Sequence, residues 1–129
     1  MNYPSADQII KLNILALDLI RVKKKDASKV LSFSKISGVL LDCRAHKGDV
    51  YGKAVVLLFG LIKAHAFASG NRRTAFLAMK LFLKNNNAKI GITDDPSNAI
   101  VMRGIREGHY AEAEIREWII SGKIREFKR

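Results

Sequence analysis

Two apolar runs, YGKAVVLLFGLIKA (Tyr51–Ala64) and TAFLAMKLFL (Thr74–Leu83), decide the fold of this chain. Each is apolar nearly all the way round at helical spacing, and a helix without a polar face is a buried one. Both are therefore expected at the centre of the molecule. Between them lies HAFASGNRRTA (His65–Ala75), read as a short polar loop that carries a histidine, an asparagine and two adjacent arginines. Polar and charged groups beside a core are costly unless satisfied, and a cluster of them reports function.

The surrounding segments read as further helices. Ser5 followed by Gln8 forms a capping box, and Ile10, Leu12, Ile14, Leu15, Leu17, Leu19 and Val22 trace a broad apolar face behind it. Lys23 to Ser34 breaks the pattern and reads as an exposed loop or a small hairpin. Ile36–Ala45 is a short helix with Ser34 or Ser37 to cap it. Asn85-Asn86-Asn87 tolerates the left-handed conformation that ends the second central helix. Lys89–Ile92 reads as a brief extended piece. Thr93-Asp94-Asp95-Pro96 opens a helix through Ile100, Val101 and Ile105, closed by Gly108. Ala111, Ile115, Trp118 and Ile119 mark the last helix. About six helices and almost no strand give an all-α fold.

The bulk numbers narrow the possibilities. A chain of 129 residues, 48% hydrophobic and 27% charged, reads as one soluble globular domain spanning 1–129. No run is long and apolar enough for a membrane span, and the N-terminus lacks a secretory pattern. The single cysteine, Cys43, has no internal disulfide partner and reads as a small half-buried hydrophobe, which suits a reducing cytoplasm. The net charge of +11 favours anionic partners. Yet the basic residues are spread evenly, and neither Lys23-Lys24-Lys25 nor Lys123–Arg129 is interleaved with stacking aromatics. Nucleic acid is thus not expected as the main partner, and Lys123–Arg129 reads as a frayed, solvated tail. His46 and His109 have no metal-ligand spacing with each other or with Cys43, so no zinc site is expected.

The polar loop has a chemistry of its own. A helix N-terminus presents unpaired N–H groups and partial positive charge, which acidic residues normally complement. Here the second central helix is given Arg72 and Arg73 instead, an arrangement suited to a bound phosphate. Gly70 permits a tight turn and close approach. Arg73 offers a bidentate clamp, and Asn71 holds the loop or donates to an oxygen. His65, at the end of the preceding helix, is the residue type that takes a proton near neutral pH. Phe67, apolar in a polar loop, anchors it to the core.

These residues resemble the Fic/Doc signature, His-x-Phe-x-(Asp/Glu)-(Gly/Ala)-Asn-(Gly/Lys)-Arg. The run Arg-Thr-Ala leading into a helix that ends Leu-Phe-Leu-Lys-Asn is particularly similar to the death-on-curing (Doc) branch. The opening Pro-Ser-Ala-Asp-Gln-Ile-Ile helix and the closing Ala-Glu-Ile-Arg-Glu-Trp-Ile helix extend the resemblance over most of the chain. It implies an all-α Fic fold with a central helix behind the motif. It implies His65 as the general base that deprotonates a target hydroxyl. It implies Asn71 and Arg73 on the nucleotide phosphates, with Gly70 and the neighbouring amides as an anion hole. Most Fic proteins transfer AMP from ATP, whereas Doc-type proteins phosphorylate a translation elongation factor as toxins. The basic Arg72, where Fic proteins have a second glycine, sides with Doc and phosphoryl transfer.

One departure bears on activity. The family places a carboxylate at the position of Ser69, to hold Mg²⁺ on the phosphates, and serine is a weak neutral ligand. Three alternatives stay open: Ser69 serves poorly, nucleotide and water alone hold the metal, or the site is an attenuated nucleotide- or partner-binding module. The self-inhibitory pattern (Ser/Thr)-x-x-x-Glu-(Gly/Asn) is not met, since Arg103 stands at its first position before Glu107-Gly108. The resemblance therefore implies a separate antitoxin as inhibitor, and a basic surface suits either such a partner or an acidic translation factor.

Overall fold

A computed structural model describes residues 1–20 and 28–128. It contains six helices, α1 (Ala6–Ile20), α2 (Phe33–Ala45), α3 (Val50–Ala64), α4 (Asn71–Asn85), α5 (Ser97–Arg106) and α6 (Glu112–Ser121). Among the described residues there is no strand, only an isolated antiparallel bridge between Val30 and Phe67. The all-α expectation holds. No helix among the described residues is long and apolar enough to cross a membrane. The Lys23–Lys25 run, and Val22 of the expected α1 face, lie outside the described residues.

The helices α3 and α4 form the centre. Ala54, Leu57 and Leu58 of α3 and Ala75, Met79 and Leu83 of α4 are fully buried. α3 packs most extensively on α4, with α2 against its other side and α1 against α4. Asp49 caps α3 by accepting from the Gly52 N–H at 2.9 Å. The same carboxylate takes a two-pronged bond from Arg116 of α6, both prongs at 2.6 Å. The Arg116 guanidinium, and secondarily the Gly52 amide, hold that carboxyl below the usual carboxylate range.

Several boundaries differ from the sequence reading, each for a local reason. α1 does begin with the Ser5–Gln8 box: the Gln8 N–H donates to Ser5 Oγ and the Ser5 N–H to Gln8 Oε1. Its buried face, however, is Ile9, Asn13 and Ala16, while Ile14, Leu15 and Leu19 stand exposed. The helix turns a polar residue inward because Asn13 has partners there. α2 starts earlier than Ile36, at Phe33, and neither Ser34 nor Ser37 is its cap; Ser32 is, accepting from the Lys35 N–H. α4 begins three residues before Thr74, so Asn71, Arg72 and Arg73 belong to its first turn rather than to the loop. It ends at Asn85, and Asn87 does adopt the left-handed conformation. Cys43 is fully rather than half buried, and desolvation pushes its thiol pKa up.

Lys89–Ile92 forms no strand. The Gly91 N–H donates to Ile119 O at 2.8 Å, and the backbone of the α6 end comes so close that a Cβ on Gly91 would lie 2.3 Å from Ile120 O. Asp95 Oδ1 accepts from the Ser97 N–H at the start of α5. In α6, Ile115, Trp118 and Ile119 are buried as their spacing predicts, but Ala111 is an exposed cap outside the helix. The tail is not frayed as far as residue 128. Phe127 stacks on His109 with centroids 4.4 Å apart and meets Tyr110 edge-on, and Ile124 packs on the core. Tyr110 Oη donates to Arg125 O, and the Arg125 guanidinium bonds Glu114 and the His109 carbonyl. Two aromatic rings at the right distance outweigh the charge of the segment.

Lys53 interrupts the apolar run of α3 and is only 7% exposed. Its Nζ donates to the carbonyls of Cys43, Arg44 and His46, which closes the C-terminal end of α2. Three donors meet three acceptors, so the buried charge is satisfied. Lys53→Met keeps the stem and orphans those carbonyls; it is expected to lower the unfolding free energy by about 2 kcal/mol. Urea denaturation checks this, and a loss under about 0.5 kcal/mol, the range of ordinary surface changes, would show that water caps α2 equally well.

Candidate functional site

The site is built where α3 stops and α4 starts. α3 ends at Ala64 and His65 follows in the left-handed conformation, φ 46° and ψ 50°. A bulky residue held there stores strain, of the order of 1 kcal/mol, and turns the chain sharply. The chain then runs extended past Phe67, whose ring is 2% exposed, as an anchor should be. At Gly70, φ is +77°. An L side chain is strained at that angle, and a Cβ would also stand 3.1 Å from Leu17 Cδ2. The loop is tied on one edge to the segment before α2: the Ala68 N–H donates to Lys29 O, and the Leu31 and Ser32 N–H groups donate to Ala66 O.

Asn71 is the organiser of the loop. Its Oδ1 accepts from the Phe67 N–H at 3.0 Å and its Nδ2 donates to Phe67 O at 2.8 Å. These two bonds fix which way the amide faces. The remaining Nδ2 hydrogen points to His65 Nδ1 at 3.3 Å. Nδ1 must then be the acceptor, so a neutral His65 carries its proton on Nε2. The lone pair that would take a proton is loosely held by Asn71, and the ring, which is exposed, must turn away from Asn71 to use it.

A second tether was not foreseen from the sequence. Asn13 of α1 is fully buried; its Nδ2 donates to Ser69 O at 2.9 Å and to Thr74 Oγ1 at 3.1 Å. Ser28 Oγ donates to Asn13 Oδ1 at 2.7 Å. The signal was present: Asn13 sits four residues after Ile9 and three before Ala16, a polar residue on the inward stripe.

Of the residues singled out in the sequence, Gly70, Asn71, Arg72 and Arg73 line one cleft of about 770 Å³. Its other walls come from Phe76, Leu77 and Lys80 of α4 and from the stretch Asp94 to Arg103. That volume is within the range of small-molecule sites. The first helical bond of α4 is Thr74 N–H to Gly70 O at 2.9 Å. The amides of Asn71, Arg72 and Arg73 therefore precede the hydrogen-bonded ladder and have no partner within the helix, an arrangement that suits an anion. Arg73 is exposed and Arg72 half-buried. His65 and Ser69 are not cleft walls. His65 reaches the site through Asn71, and Ser69 lies one residue before Gly70 with its carbonyl held by Asn13.

These residues do not fit a divalent metal. The first turn of α4 carries no acidic residue, and Ser69 supplies a neutral hydroxyl. Asp94 and Asp95 line the cleft, but Asp94 pairs with Lys80 at 3.8 Å and Asp95 accepts at the start of α5. Among the described residues no three His, Cys, Asp or Glu side chains gather as a metal site.

Residues 4–83, from the start of α1 to near the end of α4, match the model of the Fic/DOC family. The chain belongs to the Fic/DOC family. The match takes in the whole loop, both of its tethers and the first turn of α4, which is where the geometry converges. None of the curated proteins matches the chain. The Fic/DOC match ends before α5 and α6, so the far wall of the cleft, from Asp94 to Arg103, lies outside it.

Proposed function

We propose that this Fic/DOC chain is a Doc-like toxin, a transferase that moves the γ-phosphoryl group of ATP to a hydroxyl on a protein such as a translation elongation factor. The observation that carries the reading is the convergence at the start of α4. There the free amides of Asn71–Arg73 and the Arg72 and Arg73 side chains line one end of a nucleotide-sized cleft, and His65 is joined to them through Asn71. The amides and arginines would take the phosphate oxygens, and Asn71 would orient His65. In the transfer, the target oxygen bonds to the γ-phosphorus, the bond from that phosphorus to the β-bridging oxygen breaks, ADP leaves, and the hydroxyl proton passes to His65. A basic Arg72 favours a γ-phosphoryl transfer over transfer of AMP. A separate antitoxin and a cytoplasmic setting belong to the same reading.

The absence of a carboxylate in the first turn of α4 favours a second reading, a Fic-fold module that binds nucleotide or a partner without turnover. Incubating the protein and a cell lysate with γ-labelled and α-labelled ATP in parallel separates the two. Label on protein from the γ position alone is the expected result. Label from the α position would make the chain an AMP transferase. Silence from both, with ATP bound, would establish the binding module.

A further inference from the structure

The cleft carries more positive charge than its motif end accounts for. Arg72, Arg73 and Lys80 line it from α4, and Arg103 faces them from α5. Lys80 has Asp94 at 3.8 Å, and its Nζ lies 5.4 Å from the Phe76 ring centroid. Arg103 has nothing comparable. The side chain is half-buried, and among the described residues its Nε is closed off without a hydrogen-bond partner. An unpartnered buried donor is costly, the more so on a group that cannot shed its charge. Neither carboxylate of the cleft relieves it, since Asp94 is taken by Lys80 and Asp95 by the Ser97 N–H. With Nε closed off, the outer guanidinium nitrogens of this half-buried side chain are what the cleft presents to an acceptor arriving from solution.

We propose that Arg103 is a second anion-binding arm of the cleft. It takes oxygens at the far end of a polyphosphate whose near end lies at the α4 N-terminus, and side-chain charge replaces divalent metal in neutralising the ligand. The inference rests on the reading of this cleft as a nucleotide site. Lys80 lies seven residues beyond Arg73, roughly 10 Å along α4, so cations recur along the α4 wall of the cleft while Arg103 lines it from α5. A polyphosphate laid there meets positive charge along its length, and no metal is needed to link it to a carboxylate that the site does not have. A monophosphate reaches only the α4 N-terminus and leaves Arg103 untouched.

Isothermal titration calorimetry on the full chain, with ATP, inorganic tripolyphosphate and AMP, each in EDTA and again with Mg²⁺, tests this. The wild-type protein is expected to bind ATP and tripolyphosphate as well in EDTA as with Mg²⁺. Arg103→Met is expected to weaken both about tenfold, the scale of one charge-assisted hydrogen bond, with AMP unchanged. Arg103→Lys, which keeps the charge but not the fork, should recover part of the loss. Thermal melting without ligand shows that the variants are folded, and Arg103→Gln stands in if Arg103→Met is not. Binding that vanishes in EDTA overturns the proposal, and so does ATP affinity that Arg103→Met and Arg103→Gln leave intact. Metal-free, Arg103-dependent binding beside a silent transfer assay would uphold it while removing the transferase reading. No binding of ATP or tripolyphosphate to wild type would remove both.

Discussion

His65→Ala is expected to cut phosphoryl transfer by about 10²- to 10⁴-fold, the usual weight of a general base, while ATP affinity stays within the error of the titration. The two halves of this expectation come from different atoms. His65 lies outside the cleft walls and touches the site only through the 3.3 Å contact with Asn71 Nδ2. Removing the imidazole leaves both Asn71–Phe67 bonds in place, so the loop keeps its shape and the α4 amides keep their direction. Alanine at φ 46° is no better suited than histidine, so the melting temperature should fall only slightly. Single-turnover transfer from γ-labelled ATP, calorimetric ATP binding and thermal melting on the same preparation separate these effects. An unchanged transfer rate would remove His65 from the chemistry and leave it as a helix-end residue. A large loss of ATP affinity would instead mean that the ring supports the anion site.

The sequence was most legible where one physical effect dominates. α3 and α4 are apolar over their whole circumference, and nothing competes with burying them. The reading failed where two effects oppose each other. Asn71-Arg72-Arg73 reads as loop because it is polar and precedes the apolar run that begins at Thr74, yet Asn71 turns its side chain back onto Phe67 and lets the helix start there. In α1, counting apolar residues alone placed Ile14 and Leu15 inside, when the inward stripe runs through Asn13. The C-terminal segment was judged by its charges, but Phe127 finds the His109 ring. Partners distant in sequence decide each of these cases, and spacing within one segment carries no information about them. Arg103 shows the same limit at the site: in the sequence it marks only the failure of an inhibitory pattern, and the packing of α5 over α4 is what brings it to the cleft.

Asn13→Leu is expected to be the most damaging substitution away from the cleft, costing about 3 kcal/mol of stability, because each buried group left without a partner costs roughly 1–3 kcal/mol. Asn13 is fully buried and Thr74 is 1% exposed. Leucine keeps the branched four-atom skeleton of asparagine, so the polar groups it leaves behind dominate the cost. It strands Ser69 O and two hydroxyls, those of Thr74 and Ser28. Thr74→Val removes one of the stranded groups, so the double variant should lose less than the sum of the single ones, with a coupling of at least about 0.5 kcal/mol. Urea denaturation of the four proteins measures the cycle. Additive losses would mean that the hydrogen bond to Thr74 is idle and that Asn13 acts through Ser69 alone. The functional consequence follows from where Ser69 stands. Asn13 holds its carbonyl one residue before Gly70, separately from the Asn71–Phe67 clamp. With that hold lost, Gly70 is free to relax from its +77° φ, and the amides of Asn71–Arg73 lose their common direction. ATP affinity should therefore fall with stability in Asn13→Leu, at a temperature where the variant is still fully folded. Undiminished affinity there would show that the Asn71 clamp alone is enough to aim the α4 amides.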